Sequence, residues 1–347
     1  MALADRTLDL VNIASVSGNE AEAYAYIKAN VPLETVFDDG ETLLYAKRSG
    51  KPLVLLAGHL DTVPEQGNRP GRIEDGWIVG LGASDMKGGV AVMVELGRWA
   101  AEQEPAYDLG LLFFPREELG PEHNPLPSLF AQAPMIDEAE LVICLEPTDN
   151  QLHLGCLGNL SARVVYEGKS AHSARPWTGE NAIAKALHGL EPILDLAPRD
   201  VEIEGLVFRE VISVVQLHAG IANNVIPARA EAILNFRYAP DRTPEEAEAR
   251  VRELVGENVE FFSNSAAAHV APRDGIVGEL ARAGGFEFAP KQAWTNVADF
   301  AARGLDAVNL GPGATRYAHA VDERVEIAAL ERTYEALQSF LAGTVQT

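Results

Sequence analysis

The stretch LVLLAGHLDTVP, residues 53–64, decides how the chain is read. Its first five residues are apolar without a break, whereas a strand with one face in water alternates apolar and polar side chains. A short unbroken run therefore predicts a strand covered on both faces. The run ends in Gly58, His59, Leu60 and Asp61, so a core strand delivers an imidazole and a carboxylate at its carboxyl end. Three further runs share this plan. LGLLFF (109–114) leads to Glu117 and Glu118, LVICL (141–145) leads to Glu146, and DAVNL (306–310) leads through GPGATRYA to His319. Helix-like stretches such as VAVMVELGRWAAE (90–102) separate them, which predicts an α/β domain: a mixed, mostly parallel sheet sandwiched by helices. Within it, Asp75-Gly76 between apolar residues predicts a hairpin.

The middle of the chain has a different rhythm. From about residue 159, strand-like and helix-like segments follow in β-α-β-β-α-β order, which predicts an inserted, ferredoxin-like α+β domain with helices on one face. The expected boundaries are 1–158 for the first part of the α/β domain, 159–265 for the insertion and 266–347 for the second part. Gly155 and Gly158 stand at the entry as expected hinges.

Composition narrows the function classes. The 347 residues are 47% hydrophobic and 23% charged, with a formal net charge of −23. Nucleic acid and anionic membrane surfaces would be repelled at long range, so neither is an expected partner. Cys144 and Cys156 lie in or beside apolar runs and are read as buried thiols in a reducing cytosol, not as a bridge. No run approaches the roughly 20 apolar residues of a membrane span. The first twenty residues interleave acids and bases and read as a surface helix, not a signal peptide. The expected location is cytoplasmic.

In an open α/β sheet, groups at the carboxyl ends of the strands gather at one rim. His59 and Asp61, two apart on an extended segment, point to the same side. His59 can then bind a metal while Asp61 orients the imidazole. GLGASDMKGG (80–89) resembles a phosphate loop superficially but lacks the GxGxxG and GxxxxGK spacings. Its glycines let the backbone fold around Asp85, whose two oxygens can bridge two cations; the plainer role for Asp85 is a helix N-cap. Glu117 and Glu118 could serve a helix N-terminus, or divide into a metal ligand and a base that takes a proton from water. Two His, one shared Asp and two Glu would give each of two metals three protein donors, the composition of a catalytic site. Such donors suit zinc, cobalt or manganese.

Together GHLDTVP, GLGASDMKGG, REELG, CLEPT, SAHSARPWTGENAI, NNVIPARAEAILNFRYAPDR and NLGPGATRYAHAVDERV resemble the zinc-dependent aminoacylase and carboxypeptidase superfamily. Within it, the chain looks most like the succinyl-diaminopimelate desuccinylase family of the shorter actinobacterial type. The resemblance implies two divalent metal ions, zinc foremost. It makes His59, Asp85 and Glu146 ligands of one and Asp85, Glu118 and His319 ligands of the other. Glu117 becomes the general base and Asp61 the orienting acid. The inserted domain is implied to be a lid and homodimerisation module whose His172 reaches the partner subunit's active site and stabilises the oxyanion. Asn224 and Arg237 are implied substrate contacts. Where the longer desuccinylases carry an arginine pair and a Gly-Thr-Ser loop, this chain has Cys156-Leu157-Gly158 and Trp294-Thr295-Asn296, so Arg175 and Thr295 are the expected replacements. The implied reaction is amide hydrolysis of a small acyl amino acid, N-succinyl-L,L-diaminopimelate foremost. An acetylornithine or acyl-lysine deacylase and a dipeptidase are alternatives within the same chemistry. An inactive, metal-free binding protein and a nucleotide-binding enzyme are alternatives outside it.

Overall fold

The computed structural model describes residues 2–344, which form two compact units. The first unit comprises residues up to Gly155 together with Ala271–Ala289 and the segment from Asp299 onward. The second comprises Cys156–Val270 and Pro290–Ala298. Residues 290–298, expected with the last part of the α/β domain, therefore pack with the inserted segment instead, and Thr295 goes with them.

The first unit is built on an eight-stranded sheet. At its centre, in spatial order, lie Asp108–Phe114, Leu53–His59, Ala139–Cys144 and Ala307–Asn309, paired in parallel throughout. These are the four apolar runs of the sequence. Leu53–His59 and Asp108–Phe114 are buried at every residue, because helices cover both faces. Truncating one such leucine to alanine removes about 2–5 kcal/mol by lost transfer energy and cavity formation. Leu43–Lys47 adds antiparallel to Asp108–Phe114 at one side, and Leu152–Cys156 adds antiparallel to Ala307–Asn309 at the other. Asp75 and Gly76, both at positive φ (48° and 83°), turn the expected hairpin between Arg72–Glu74 and Trp77–Val79. The first helix, Leu3–Asn12, is the expected surface helix: it exposes Asp5, Asp9 and Asn12 and buries Arg6, Thr7, Leu10 and Val11 on its other face. The Arg6 guanidinium is held by Glu95, Tyr26 and Asn30, so its charge is neutralised where it is buried.

The second unit is a five-stranded antiparallel sheet in the order Arg199–Ile203, Leu206–Ala219, Arg229–Tyr238, Gly158–Glu167, Val259–Ser265. Its four long strands have the predicted order of a split β-α-β pattern, with Ala182–Leu194 and Pro244–Val255 packed on one face. Thr243 and Glu246 close a capping box at the start of the second helix. The fifth strand, Arg199–Ile203, goes beyond the expectation and is turned into its neighbour at Glu204-Gly205, both at positive φ. Gly158, expected as a hinge, is instead a point of close approach in this sheet, since a Cβ there would lie 2.1 Å from the Tyr238 ring. Cys144 and Cys156 are buried thiols, not a bridge. Among the described residues no helix is long and apolar enough to cross a membrane.

Candidate metal centre

The carboxyl ends of the four parallel strands determine what meets at the rim. His59 is the last residue of Leu53–His59 and is only 1% exposed. Its Nδ1 lies 3.1 Å from the main-chain oxygen of Asp61 and 3.5 Å from the Asp61 carboxylate. Nδ1 therefore donates to Asp61, while Nε2 faces Asp85 Oδ1 at 3.1 Å and Glu146 Oε1 at 3.8 Å. The other oxygen of Asp85, Oδ2, lies 3.6 Å from His319 Nε2, which is also 2.9 Å from Glu118 Oε2. One short carboxylate thus presents an oxygen to each of two imidazoles.

Donor atoms of His59, Asp85 and Glu146 lie within 4.8 Å of one another, as do those of Asp85, Glu118 and His319. A third grouping, His59, Glu117 and Glu118, shares His59 and Glu118 with these two and adds Glu117. Ligand atoms bound tetrahedrally at about 2.0–2.2 Å from zinc stand roughly 3.3–3.6 Å apart. The spacings of 3.1, 3.6 and 3.8 Å fall around that value, and a ring nitrogen set between two carboxylates is an arrangement that a divalent cation satisfies. The residues therefore fit divalent cations.

The Glu117–Glu118 pair is resolved by its backbone. Asp61, fully buried, accepts the amides of Glu117 (3.0 Å) and Glu118 (3.1 Å) and the Ser17 hydroxyl (2.7 Å). The helix N-terminus alternative for these acids fails, because their amides end on a carboxylate and Glu118 itself turns to His319. Asp61 is consequently more than the orienting acid of the sequence reading, since it pins the loop that carries both glutamates. Arg116, immediately before them, and His319 both have positive φ (62° and 60°), unusual for side chains with a Cβ and characteristic of sites over-determined by their surroundings. The His319 carbonyl is held by Gln66 Nε2 at 3.0 Å.

Asp85 is not the N-cap of the helix that follows the glycine-rich loop. The helix Gly88–Glu102 has Lys87 at its N-cap position, without a side-chain cap. Close backbone approach is what its surroundings require: a Cβ on Gly89 would stand 2.3 Å from the Leu145 carbonyl, and one on Gly313 would stand 2.2 Å from the Ser84 carbonyl. At the centre of the loop sits a residue the sequence reading missed, Glu323. Its carboxylate accepts the amides of Gly82, Ser84 and Asp85 at 2.8, 3.1 and 3.0 Å. Ser17 was also missed. No local pattern marks either one; both are recognisable only through the distant loops they bind.

Electrostatics at the rim follow from crowding. Burial alone would disfavour a charged His59, but the Asp61 and Asp85 carboxylates overcome it and raise its pKa well above the ordinary value. His319 is raised to about 9, chiefly by its hydrogen bond to Glu118. Glu117 is raised well above the usual carboxylate range by burial and then by the Glu146 charge. Each shift reports the same fact, an excess of acids enclosed around two imidazoles.

The remaining predicted site residues lie in the second unit. Ala171–His172 pairs with Val225–Ile226, and the Ser173 amide donates to the Asn224 carbonyl at 2.9 Å, so His172 and Asn224 are neighbours. His172 Nδ1 accepts the Ala174 amide at 3.0 Å, which fixes the proton on Nε2 and leaves an outward N–H donor on an exposed ring. Arg175 follows in the same turn, its amide donating to the His172 carbonyl. Arg237 is half-buried, its Nε bonded to Asn235 Oδ1 at 3.0 Å, and among the described residues no carboxylate pairs with it. It lines a cavity of about 490 Å³ with Leu157, Val207, Val211, Arg209 and Gln292. Thr295 is buried, with its carbonyl 3.9 Å from Cys156 Sγ.

Comparison with known proteins finds relatives over nearly the whole chain. The chain is 35% identical over 350 residues to the succinyl-diaminopimelate desuccinylase of Corynebacterium glutamicum, covering 97% of this chain and 95% of that protein. It is 37% identical over 345 residues to a Mycobacterium tuberculosis (H37Rv) protein provisionally named for the same activity, covering 97% of each. The crystal structure of aminopeptidase PepT from Bacillus cereus superposes with a TM-score of 0.79 at 20% identity, over 99% of this chain and 98% of that one, and shows the shared fold. Residues 55–343 match the model of peptidase family M20/M25/M40, and the chain belongs to that family as a metal-dependent amidohydrolase.

Proposed function

We propose that the protein hydrolyses the succinyl amide of N-succinyl-L,L-diaminopimelate using two divalent cations, zinc foremost, with cobalt or manganese suited to the same donors. The observation that supports the metal chemistry most is Asp85, with one oxygen toward His59 and the other toward His319. The substrate is suggested by the Corynebacterium relative's name and its near full-length similarity. His59, Asp85 and Glu146 would hold one cation and Asp85, Glu118 and His319 the other. Cations there supply Lewis-acid polarisation of oxygen atoms.

The chain's own residues do the rest. Glu117, half-buried and left over once Glu118 pairs with His319, takes a proton from the attacking water as the new C–O bond forms. It delivers that proton to the amine nitrogen as the C–N bond breaks, giving succinate and a free amine. Asp61 holds the Glu117 loop rigid and keeps His59 in one tautomer. His172 offers Nε2–H to the oxygen that becomes negative. Arg237, half-buried without a protein carboxylate, together with Arg175, Asn224 and Thr295, would hold the polar groups of an acidic substrate in an otherwise repulsive, strongly acidic protein.

Assembly as a homodimer through the second unit is part of this reading. Ile183, Leu187 and Leu194 are 37%, 55% and 62% exposed on one helix, spaced so that they form one stripe, and Val215 and Leu217 are exposed on the longest strand. The deciding experiment is a substrate panel on zinc- and manganese-loaded protein: succinyl-diaminopimelate, acetylornithine, an acyl-lysine and a dipeptide. The proposal expects kcat/KM on the first to exceed the others by at least about tenfold. A comparable preference for any other member would replace the desuccinylase reading with that deacylase or dipeptidase.

A further inference from the structure

We infer that Glu323 is a positioning residue whose buried carboxylate forms a post on which the loop 80–85 is wound, fixing Asp85 between His59 and His319 before any cation arrives. The inference rests on the proposed role of Asp85 as the ligand shared by two cations.

The geometry is specific to this loop. Glu323 is 1% exposed, yet Oε2 accepts the Gly82 amide and Oε1 accepts the amides of Ser84 and Asp85. The Glu323 carbonyl accepts a fourth amide, from Gly80, at 2.9 Å. Four hydrogen bonds from six consecutive residues therefore end on one distant side chain and its backbone. Burying a carboxyl group is costly unless its oxygens are used by hydrogen-bond donors, and here three amides use them. Gly82, at φ 77°, gives the loop the left-handed bend that aims its amide inward, and a Cβ there would stand 2.7 Å from Thr62 Cγ2.

Glu323 also lies four residues beyond His319 on the same segment. The Glu323 amide donates to the Ala320 carbonyl at 3.1 Å, which closes the turn after His319. A second tie joins the two segments, from Ser84 Oγ to the Ala314 carbonyl at 2.9 Å. One side chain thus connects the segment that presents Asp85 to the segment that presents His319. Those two residues stand 3.6 Å apart. Fixing a ligand in advance removes the ordering cost from binding, and residues that orient ligands in this way typically contribute 10- to 100-fold in metal affinity.

Two experiments test the inference. In amide hydrogen exchange on the unaltered, metal-stripped chain, the amides of Gly82, Ser84 and Asp85 should already be protected, and adding zinc should slow them little further. Exchange at open-loop rates until zinc is added would overturn the inference, because the cation would then be building the loop. In calorimetric titration of zinc or manganese, Glu323→Gln should bind 10- to 100-fold more weakly, because its amide group faces the Gly82 N–H. Ser84→Ala, which cuts only the second tie, should stay within about threefold of the unaltered chain. Glu323→Gln binding within threefold would also overturn the inference. If the unaltered chain takes up no divalent cation, the two-cation reading fails instead, a result distinguishable from either of these. The exchange experiment needs no substitution, so it decides the matter even if Glu323→Gln does not fold.

Discussion

Replacing Glu117 by Gln separates the proposed base from the proposed metal ligands beside it. The substitution keeps the side chain's size and leaves the backbone bond from residue 117 to Asp61 intact, because that bond uses the amide N–H. Glu118, paired with His319 at 2.9 Å, is untouched. Loss of a general base typically costs 10² to 10⁴ in rate. The neighbouring acids Glu118 and Glu146 already face imidazoles, so the upper part of that range applies. A fall of about 10³ to 10⁴ in kcat/KM corresponds to about 4–5.5 kcal/mol of lost transition-state stabilisation. Stability should move the other way. Burial and the Glu146 charge already penalise an ionised Glu117, so a neutral amide should leave the melting temperature of the metal-stripped protein unchanged or higher. The assay is steady-state hydrolysis of succinyl-diaminopimelate alongside zinc titration and thermal melting. Turnover within tenfold of the unaltered enzyme would remove Glu117 from its role. Loss of zinc binding would show that it is a ligand and refute the division of labour within the pair.

Three further outcomes follow from named contacts. His172→Ala should lower kcat by about 10²–10³ with a smaller change in KM, as expected for a donor used mainly in the transition state, and leave the melt unchanged because the ring is exposed; steady-state kinetics and calorimetry check both. Leu187→Glu should convert the proposed dimer to a monomer in sedimentation velocity, since it puts a charge in the exposed apolar stripe that the proposed interface would cover. Glu210 is buried, and although burial raises its pKa, hydrogen bonds from Arg199 and Arg242 hold the net value below the ordinary 4.5. A depressed folded pKa contributes stability that is present above the unfolded value and lost as pH falls through the folded one. Urea titrations should therefore show the second unit weakening below about pH 4.5, and Glu210→Gln should cost about 3 kcal/mol at pH 7 and flatten that dependence.

The rim was legible because its signal is redundant. Four short apolar runs, each followed within ten residues by a side chain able to bind a metal, point to a covered parallel sheet with these groups at one end. The structure pairs those four runs side by side. Glu323 was not legible, because the chain has 51 acidic residues and nothing local distinguishes the one on which a loop more than 200 residues away is wound. The same holds for Ser17, which meets Asp61 only through the fold. The strand Arg199–Ile203 could have been found: Val201 and Ile203 alternate with acids and are followed by a Glu-Gly turn, but the acidic positions obscured the period. Thr295 was assigned to the wrong unit because the segment 290–298 carries no composition shift; only its packing separates it from its flanks.

Anomalous diffraction from crystals of the zinc-loaded protein is the most direct test of the account. It predicts two peaks flanking the Asp85 carboxylate, one beside His59 and Glu146 and the other beside Glu118 and His319. A single peak that touches Asp85 through one oxygen only, or peaks away from these five residues, would contradict it.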